Sequence, residues 1–320
     1  MKTVAILGTR YTDFSVEEEV LDPLGIRIVS GAGASSDEIV ELAGDADVIL
    51  AGSGPRFDAA TIARLRCVGI VRSGVGVETV DLEAARAAGM WVARVADYGT
   101  EAVALHAFTL ALAGIRRLGE ADRRVRGGEW GFAPLRPLHL PSALVAGVVG
   151  FGRIGRRVAE LLLAVGFEVI AYDPVAPVDA AGIRGVPLAT LFSVSDVISL
   201  HAPVPEDGSF LVGAEQLASM RPGSVLVNTS RGALVDEDAL VAALALGRPG
   251  TAALDVYASE PPAPDRFAGV AEHVILTPHM AWYTDESEHD LRVKAAQEAR
   301  RLLEGERPRD VVVEPKGATA

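Results

Sequence analysis

The amino-acid sequence predicts an α/β protein built from two doubly wound, parallel-sheet domains. The chain has 320 residues, which exceeds the ~100–200 residues of a typical domain and makes two domains the expected number. Apolar runs of strand length alternate with helical segments, a pattern typical of βα units. A long helical segment and an irregular stretch interrupt this alternation before it resumes, so two sheets are expected.

The first domain is predicted from short apolar runs bounded by turn residues, each of which indicates a buried strand. These predicted strands cover residues 4–7, 26–29, 47–51, 67–71 and 91–94. A helix is expected to open at Ser36, Asp37 and Glu38, with Ser35 or Ser36 as its N-cap.

The second domain begins with a helix predicted from Thr100, because apolar residues recur at helical spacing from Ala102 to Ile115. Residues 122–141 are expected to be irregular, since they mix prolines and aromatic residues with glycines and arginines. Further strands are predicted at residues 143–149, 168–172, 197–200, 224–227, 251–254 and 274–276. A final helix is expected over residues 286–303, followed by a polar tail.

The composition argues against several classes of protein. The formal net charge is −13, so a basic face for nucleic acid is not expected. The single cysteine, Cys67, cannot form an internal disulfide, and no cluster of ligands suggests a metal site. The N-terminal apolar run is too short for a signal peptide, and no apolar stretch reaches the ~18 residues of a membrane span. We therefore expect a cytoplasmic protein.

A glycine-rich turn marks the start of the second βα series. Residues 150–155 read Gly-Phe-Gly-Arg-Ile-Gly, the pattern G-x-G-x-x-G, between a predicted strand and a predicted helix. The first glycine permits the tight turn, the second lets the backbone approach a pyrophosphate, and the third lets helix and strand pack closely. The helix N-terminus offers N–H groups to the phosphates. The sequence therefore predicts a Rossmann-type dinucleotide-binding domain.

An acidic residue follows this turn at the expected place. Asp173 ends the next predicted strand, close to the ~20-residue spacing at which a carboxylate binds a ribose 2′-hydroxyl. A carboxylate there repels a 2′-phosphate, so NAD is favoured over NADP. Arg153 could be interpreted as a 2′-phosphate anchor, but it lies in the phosphate turn itself.

Polar residues follow three later strands of the second domain. Arg231, Glu260 and His279 come after the strands predicted at residues 224–227, 251–254 and 274–276. In open parallel sheets ligands bind beyond the carboxyl ends of the strands, so these side chains can face one crevice.

Taken in this order, the motifs resemble the D-2-hydroxyacid dehydrogenases over nearly the whole chain. The matching segments are residues 150–155, 173, 228–232, 255–262 and 277–279. Residues 279–283, His-Met-Ala-Trp-Tyr, resemble most closely the branch that contains the C-terminal binding proteins, with phosphoglycerate dehydrogenases as neighbours. The resemblance implies an NAD-binding domain over residues 100–284, inserted into a flavodoxin-like substrate-binding domain made of residues 1–99 and 285–320.

The resemblance also implies a catalytic set for the reduction of a small 2-oxo acid. His279 would supply the proton and take it back in the reverse direction, because imidazole titrates near neutrality. Glu260 would hold the ring and stabilise its protonated form. Arg231 would bind the substrate carboxylate and carbonyl with its two-pronged donor. Implied NAD contacts are Gly150, Phe151, Gly152, Arg153, Ile154, Gly155, Asp173, His201, Ala202, Thr229, Ser230, Asp255, Trp282 and Thr100.

Residues after the fourth predicted strand resemble the family's substrate loop, in which backbone N–H groups meet a carboxylate. This loop consists of Arg72, Ser73, Gly74, Val75 and Gly76. Arg72 is interpreted either as a substrate ligand or as a solvated strand-end residue. Trp282 could wall the pocket or pack between the domains.

Two segments depart from the family pattern. Leu105 stands where the family often has an acid, so we expect His106 to be a packed or interdomain residue rather than a catalytic one. Residues 95–98, Val-Ala-Asp-Tyr, replace the common Asn-x-Pro turn, so the family's substrates cannot be transferred directly to this chain.

Three functions remain open. The first is an NAD-dependent D-2-hydroxyacid dehydrogenase. The second is an NAD(H)-sensing interaction protein of the C-terminal binding type, and the third is a dehydrogenase acting on phosphite or a phosphonate. The resemblance further implies a homodimer, whose contact would be made by the cofactor domain with help from the helix over residues 105–115 and the irregular residues 122–141. This contact would cover Trp130 and Phe132, which would otherwise leave apolar surface in water.

Overall fold

Two sheets, each in its own unit, organise the structure of the protein, a computed structural model that describes residues 1–178 and 180–315. The first unit comprises Met1–Gly99 and the chain from Thr284 onward. The second unit comprises Thr100–Tyr283 and is therefore inserted, in chain order, into the first.

Strands and helices alternate through residues 1–99, and three of the four α-helices here begin at a side-chain cap. Ser35, Asp58 and Asp81 accept a hydrogen bond from a backbone N–H of the helix that each precedes. The elements are β1 (Thr3–Leu7), α1 (Ser15–Leu21), β2 (Arg27–Gly31), α2 (Ser36–Ala43), β3 (Val48–Ala51), α3 (Ala59–Ile62), β4 (Gly69–Arg72), α4 (Leu82–Ala87) and β5 (Trp91–Arg94).

The second unit repeats this alternation after two helices. Its elements are α5 (Thr100–Ile115), α6 (Leu118–Arg126), β6 (Val145–Val149), α7 (Arg153–Ala164), β7 (Glu168–Tyr172), β8 (Ile183–Gly185), α8 (Leu188–Val194), β9 (Val197–Leu200), α9 (Ala214–Ser219), β10 (Val225–Asn228), α10 (Glu237–Ala245), β11 (Thr251–Leu254) and β12 (Val274–Leu276). The chain then returns to the first unit with α11 (Asp285–Glu304) and β13 (Val311–Val313).

The strand order identifies both sheets as doubly wound. The first sheet has the order β13-β5-β4-β3-β1-β2, and the second has the order β12-β11-β10-β9-β6-β7-β8. Described pairs of the second sheet are parallel throughout, while β13 pairs antiparallel with β5 in the first. The predicted fold class is confirmed.

Two local predictions were wrong. The expected polar tail contains β13, because its valines extend the apolar surface of the first sheet and Val313 is completely buried. The expected irregular stretch begins inside α6, where the ion pair between Arg126 and Asp122, 2.8 Å long, joins positions four residues apart.

Helices cover both faces of the second sheet. On one face α5 and α7 pack against the strands through residues such as Ala107, Val158 and Leu162. On the other face α8 and α10 contribute Leu191 and Leu240. Within the described residues, none of the individual helices combines the length and the apolar character of a membrane span; α5 and α6 do so only as a pair bent by 60°.

Candidate active site

The glycine turn at residues 150–155 connects β6 to α7 and brings backbone close to the end of β9. Gly150 has a φ of +90°, and a Cβ there would lie 2.5 Å from the carbonyl oxygen of His201. A Cβ on Gly155 would lie 1.9 Å from the carbonyl oxygen of Gly150, so helix and turn pack without room for a side chain. By contrast, a Cβ on Gly152, the N-cap of α7, would meet nothing within 4 Å. This position is open to a ligand.

Asp173, at the end of β7, holds the turn in place. Its Oδ2 accepts the N–H of Phe151 at 2.7 Å, and its Oδ1 accepts the N–H groups of Val175 at 2.8 Å and Ala176 at 2.7 Å. Partial burial alone would raise the pKa of Asp173, but the N–H groups of Ala176, Phe151 and Val175 lower it below its ordinary value. The carboxylate therefore stays charged beside the turn at neutral pH.

His201 and Ala202 follow β9 and line the neighbouring strand end. The imidazole Nε2 of His201 lies 2.8 Å from the hydroxyl of Ser199, and burial lowers its pKa to about 3, so it is neutral. The hydroxyl of Ser230 donates to the carbonyl of Ala202 at 2.8 Å. Within the described residues, the hydroxyl of Thr229 is buried without a hydrogen-bond partner.

These features fit a dinucleotide. Gly152 leaves open space at the N-terminus of α7, and a charged carboxylate lies one strand away at Asp173. The unpartnered hydroxyl of Thr229 lies at the end of β10. Phosphates favour such a helix start, and a carboxylate suits a ribose hydroxyl.

The loops after β11 and β12 bring Glu260 and His279 into contact. Nδ1 of His279 lies 2.6 Å from Oε2 of Glu260, and Oε1 of Glu260 accepts the N–H of Tyr257 at 3.1 Å. Both side chains remain accessible, with exposed fractions of 47% for His279 and 37% for Glu260. A hydrogen-bonded imidazole and carboxylate at the surface form a unit suited to proton transfer.

Arg231 follows β10, and its loop packs against the loop that carries Glu260. A Cβ on the next residue, Gly232, would lie 1.9 Å from the carbonyl carbon of Tyr257. The side-chain amide of Asn228 donates to the carbonyl of Arg231 at 2.8 Å, and the guanidinium of Arg231 donates to the carbonyl of Ser230 at 2.8 Å. Because β10, β11 and β12 are parallel neighbours, the three loops that follow them lie together at the carboxyl end of the sheet.

Asp255 lies beneath these loops. Its side chain is completely buried, and its Oδ1 accepts the hydroxyl of Thr277 at 2.5 Å and the N–H of Met280 at 2.9 Å. Its Oδ2 accepts the N–H of Ala281 at 2.8 Å. The predicted cofactor contact thus also organises the loop of His279.

The remaining cofactor positions of the second unit lie at the ends of elements. Thr100 is the first residue of α5, and Arg153 and Ile154 begin α7. The ring of Trp282 packs edge-on against that of Tyr283, with centroids 5.7 Å apart.

Arg72 of the first unit ends β4 with a buried side chain, so the interpretation as a solvated residue was wrong. Its Nη1 donates to the carbonyl of Ala51 at 2.5 Å and also to that of Gly52, and its Nε donates to the carbonyl of Gly76 at 3.0 Å. The guanidinium therefore links Gly76, at the end of the loop that contains Ser73, Gly74 and Val75, to carbonyls at the end of β3. Gly74 in this loop has a φ of +144°.

One contact near the site joins two residues that sequence reasoning did not connect. Nε2 of His106, on α5, lies 3.1 Å from the hydroxyl oxygen of Thr277. The segment Thr277-Pro278-His279 was visible in the sequence, but the partner of its threonine, 171 residues away, was not.

Most of the second unit matches a known protein family. Residues 108–281 match the family described as D-isomer specific 2-hydroxyacid dehydrogenase, NAD binding domain. The D-3-phosphoglycerate dehydrogenase of Archaeoglobus fulgidus is 34% identical over 297 residues, which are 91% of this chain and 56% of that protein. The enzyme of the same name from Mycobacterium tuberculosis is 36% identical over 295 residues, 91% of this chain and 55% of that protein. The chain thus spans about half the length of these curated relatives.

Solved structures are similar over nearly the whole chain. The TT0316 protein from Thermus thermophilus has a TM-score of 0.88 at 31% identity, covering 97% of this chain and 100% of that one. The D-lactate dehydrogenase from Aquifex aeolicus, complexed with NAD and lactic acid, has a TM-score of 0.86 at 28% identity, covering 98% and 100%. Among the described residues, no group of side chains is arranged to hold a metal ion.

Proposed function

Because the chain belongs to the D-isomer specific 2-hydroxyacid dehydrogenases, with its NAD-binding domain in the second unit, we propose that it interconverts a small 2-oxo acid and its 2-hydroxy acid with NAD(H). His279 is the proposed acid and base. The contact of 2.6 Å between His279 and Glu260 is the observation that carries this proposal.

The pairing assigns separate tasks to the two ring nitrogens of His279. Nδ1 is bound to the carboxylate of Glu260, so Nε2 is the atom that would give a proton to the carbonyl oxygen of the substrate. Glu260 fixes the tautomer, and the N–H of Tyr257 keeps that carboxylate oriented. When bound, NAD supplies the hydride transfer itself.

The cofactor is proposed to lie along the carboxyl end of the second sheet. The turn from Gly150 to Gly155 would receive the pyrophosphate and Asp173 the ribose, with a preference for NAD because the carboxylate repels a 2′-phosphate. The other proposed contacts are Thr100, His201, Ala202, Thr229, Ser230, Asp255 and Trp282.

The substrate is proposed to be a small anion. Arg231 would bind its carboxylate and carbonyl, since a guanidinium offers two parallel donors. The loop from Arg72 to Gly76 would bind a carboxylate with backbone N–H groups, and Arg72 would hold that loop in shape through its carbonyl contacts.

A panel of 2-oxo acids with NADH tests the proposal. The panel includes 3-phosphohydroxypyruvate and pyruvate, the oxo acids that correspond to the phosphoglycerate and lactate in the names of the relatives. We expect NADH to be consumed with at least one of them, and the activity to be lost in His279→Gln while NADH still binds. Turnover that persists in His279→Gln would remove this residue from the mechanism.

Phosphite with NAD is the second arm of the same assay. Activity with phosphite and with no oxo acid would favour the alternative of a non-carboxylate oxyanion. A chain that binds NADH tightly and turns over neither class would favour an NAD(H)-sensing protein.

We propose further that the protein is a homodimer. Several apolar side chains of the second unit are exposed, with exposed fractions of 92% for Trp130, 64% for Phe132 and 69% for Leu140. Leu118 and Val125 add apolar surface on α6, each 55% exposed. Sedimentation velocity of the wild type and of the doubly substituted Trp130→Ser, Phe132→Ser variant tests this, with a monomeric wild type contradicting it.

A further inference from the structure

A chain of hydrogen bonds runs behind the loop that carries His279. The hydroxyl of Thr277 donates its hydrogen to Oδ1 of Asp255 at 2.5 Å. Since that hydrogen is used, the hydroxyl oxygen can only accept from Nε2 of His106, 3.1 Å away. His106 therefore carries its proton on Nε2, and helix α5 is joined through Thr277 to a buried carboxylate.

The carboxylate of Asp255 acts on the backbone that follows His279. A completely buried carboxylate requires several donors, and Asp255 takes them from Thr277 and from the N–H groups of Met280 and Ala281. Successive N–H groups that converge on one anion form a concave nest, which needs a left-handed residue beside it. His279 is that residue, with a φ of +51°.

The position of the His279 ring depends on this backbone. The side chain is about half exposed, so packing alone does not define where it lies. A non-glycine residue keeps a left-handed conformation only when its surroundings enforce it. Here the enforcing contacts are the nest around Asp255 and the hydrogen bond of 2.8 Å from the N–H of His279 to the carbonyl of Asp255.

We propose that Thr277 and His106 are positioning residues for His279, acting through Asp255. They hold the carboxylate of Asp255 in the orientation that binds the two N–H groups, and this fixes the backbone from which the imidazole projects. Neither residue needs to touch a substrate. The inference rests on the proposed role of His279 in proton transfer.

Two variants at Thr277 distinguish the effect of losing the hydroxyl from the effect of changing the shape of the side chain. Thr277→Val keeps the volume and removes both hydrogen bonds, whereas Thr277→Ser keeps the hydroxyl. We expect kcat with the preferred oxo acid to fall about 10- to 100-fold in Thr277→Val, the range that small misplacements of a catalytic group produce. Thr277→Ser should restore most of kcat.

A second pair tests the same hydrogen-bond chain from α5. His106→Gln keeps an N–H donor within reach of Thr277, and His106→Phe removes it. As with the Thr277 pair, we expect the variant that loses the hydrogen bond to be the less active one, so kcat should fall more in His106→Phe than in His106→Gln. Val and Ser variants of equal activity, or Thr277→Val with the kcat of the wild type, would overturn the inference.

Hydrogen exchange of the segment 277–283 decides the question without turnover. The amides of Met280 and Ala281 should exchange faster in Thr277→Val than in the wild type and in Thr277→Ser. If the wild type reduces no oxo acid, the proposed function fails, yet unchanged exchange in Thr277→Val would still contradict the positioning role. Equal melting temperatures of the serine and valine variants would exclude general unfolding as the cause.

Discussion

Nδ1 of His279 lies 2.6 Å from Oε2 of Glu260, although 19 residues separate them in the chain. The contact forms because β11 and β12 are neighbours and their following loops leave the sheet at the same edge. Nδ1 is thereby hydrogen-bonded to the carboxylate, and Nε2 is the nitrogen that can transfer a proton to a substrate.

Replacing Glu260 by glutamine should impair proton transfer without affecting the cofactor. The amide replaces the charged hydrogen-bond partner of Nδ1 with a neutral one but keeps nearly the same shape. We expect kcat for the reduction of an oxo acid to fall about 10- to 100-fold, within the range attributed to general acid–base groups. NADH fluorescence titration should give an unchanged Kd. Glu272→Gln, an exposed residue outside the site, is the matched control, and a variant as active as that control would contradict the role of Glu260.

Substitution of Gly152 should separate cofactor binding from folding. A Cβ there meets no protein atom within 4 Å, so Gly152→Ala should unfold at the temperature of the wild type. The methyl group would occupy space proposed for the pyrophosphate, and we expect the Kd for NADH to rise at least about tenfold, equivalent to ~1.4 kcal/mol. Gly269→Ala, which also meets nothing within 4 Å, should change neither quantity. Tight NADH binding by Gly152→Ala would place the pyrophosphate elsewhere.

Removal of the charge on Asp173 should weaken the preference for NADH over NADPH. The pKa of Asp173 is lowered, so the charge that repels a 2′-phosphate persists throughout the neutral range. In Asp173→Asn we expect the ratio of kcat/KM for NADH to that for NADPH to fall at least about tenfold. Asp122→Asn on α6 serves as the control for loss of one acidic residue. An unchanged ratio would show that discrimination resides in other residues.

The partly buried His201 should make the protein less stable as the pH falls. Its folded pKa is about 3, whereas an unfolded histidine titrates at about 6.5. Between these values the unfolded chain binds a proton that the folded chain does not. The free energy of unfolding should therefore be highest above about pH 6.5 and decrease below it, by up to about 1.4 kcal/mol per pH unit from this group. Melting temperatures from pH 7 to about pH 4 should fall less steeply in His201→Gln. Parallel curves would contradict this.

Much of the fold could be predicted from the sequence, because local patterns determine most of it. The strands at residues 91–94, 168–172, 197–200 and 251–254 have the predicted bounds, since each is an apolar run between turn residues. β13 could not be predicted in this way. Its valines form a strand only because β5, more than 200 residues earlier, offers an open edge.

The site was less predictable than the fold. The glycine turn and Asp173 follow a fixed spacing, and the sequence could bring them together. The surroundings of Arg72 depend on the carbonyls of Ala51 and Gly52 in another strand end, which no spacing indicates. The contact of His106 with Thr277 joins α5 to the end of β12 and likewise has no local signature.

The position of β13 has a consequence for biosynthesis. The second unit is one continuous segment, so every strand of its sheet is available once residue 283 has left the ribosome. Residues 1–99 of the first unit precede the second unit in the chain, yet α11 and β13 follow it. During translation the second unit can therefore fold before the first unit is complete, and until β13 is made the edge of β5 remains uncovered.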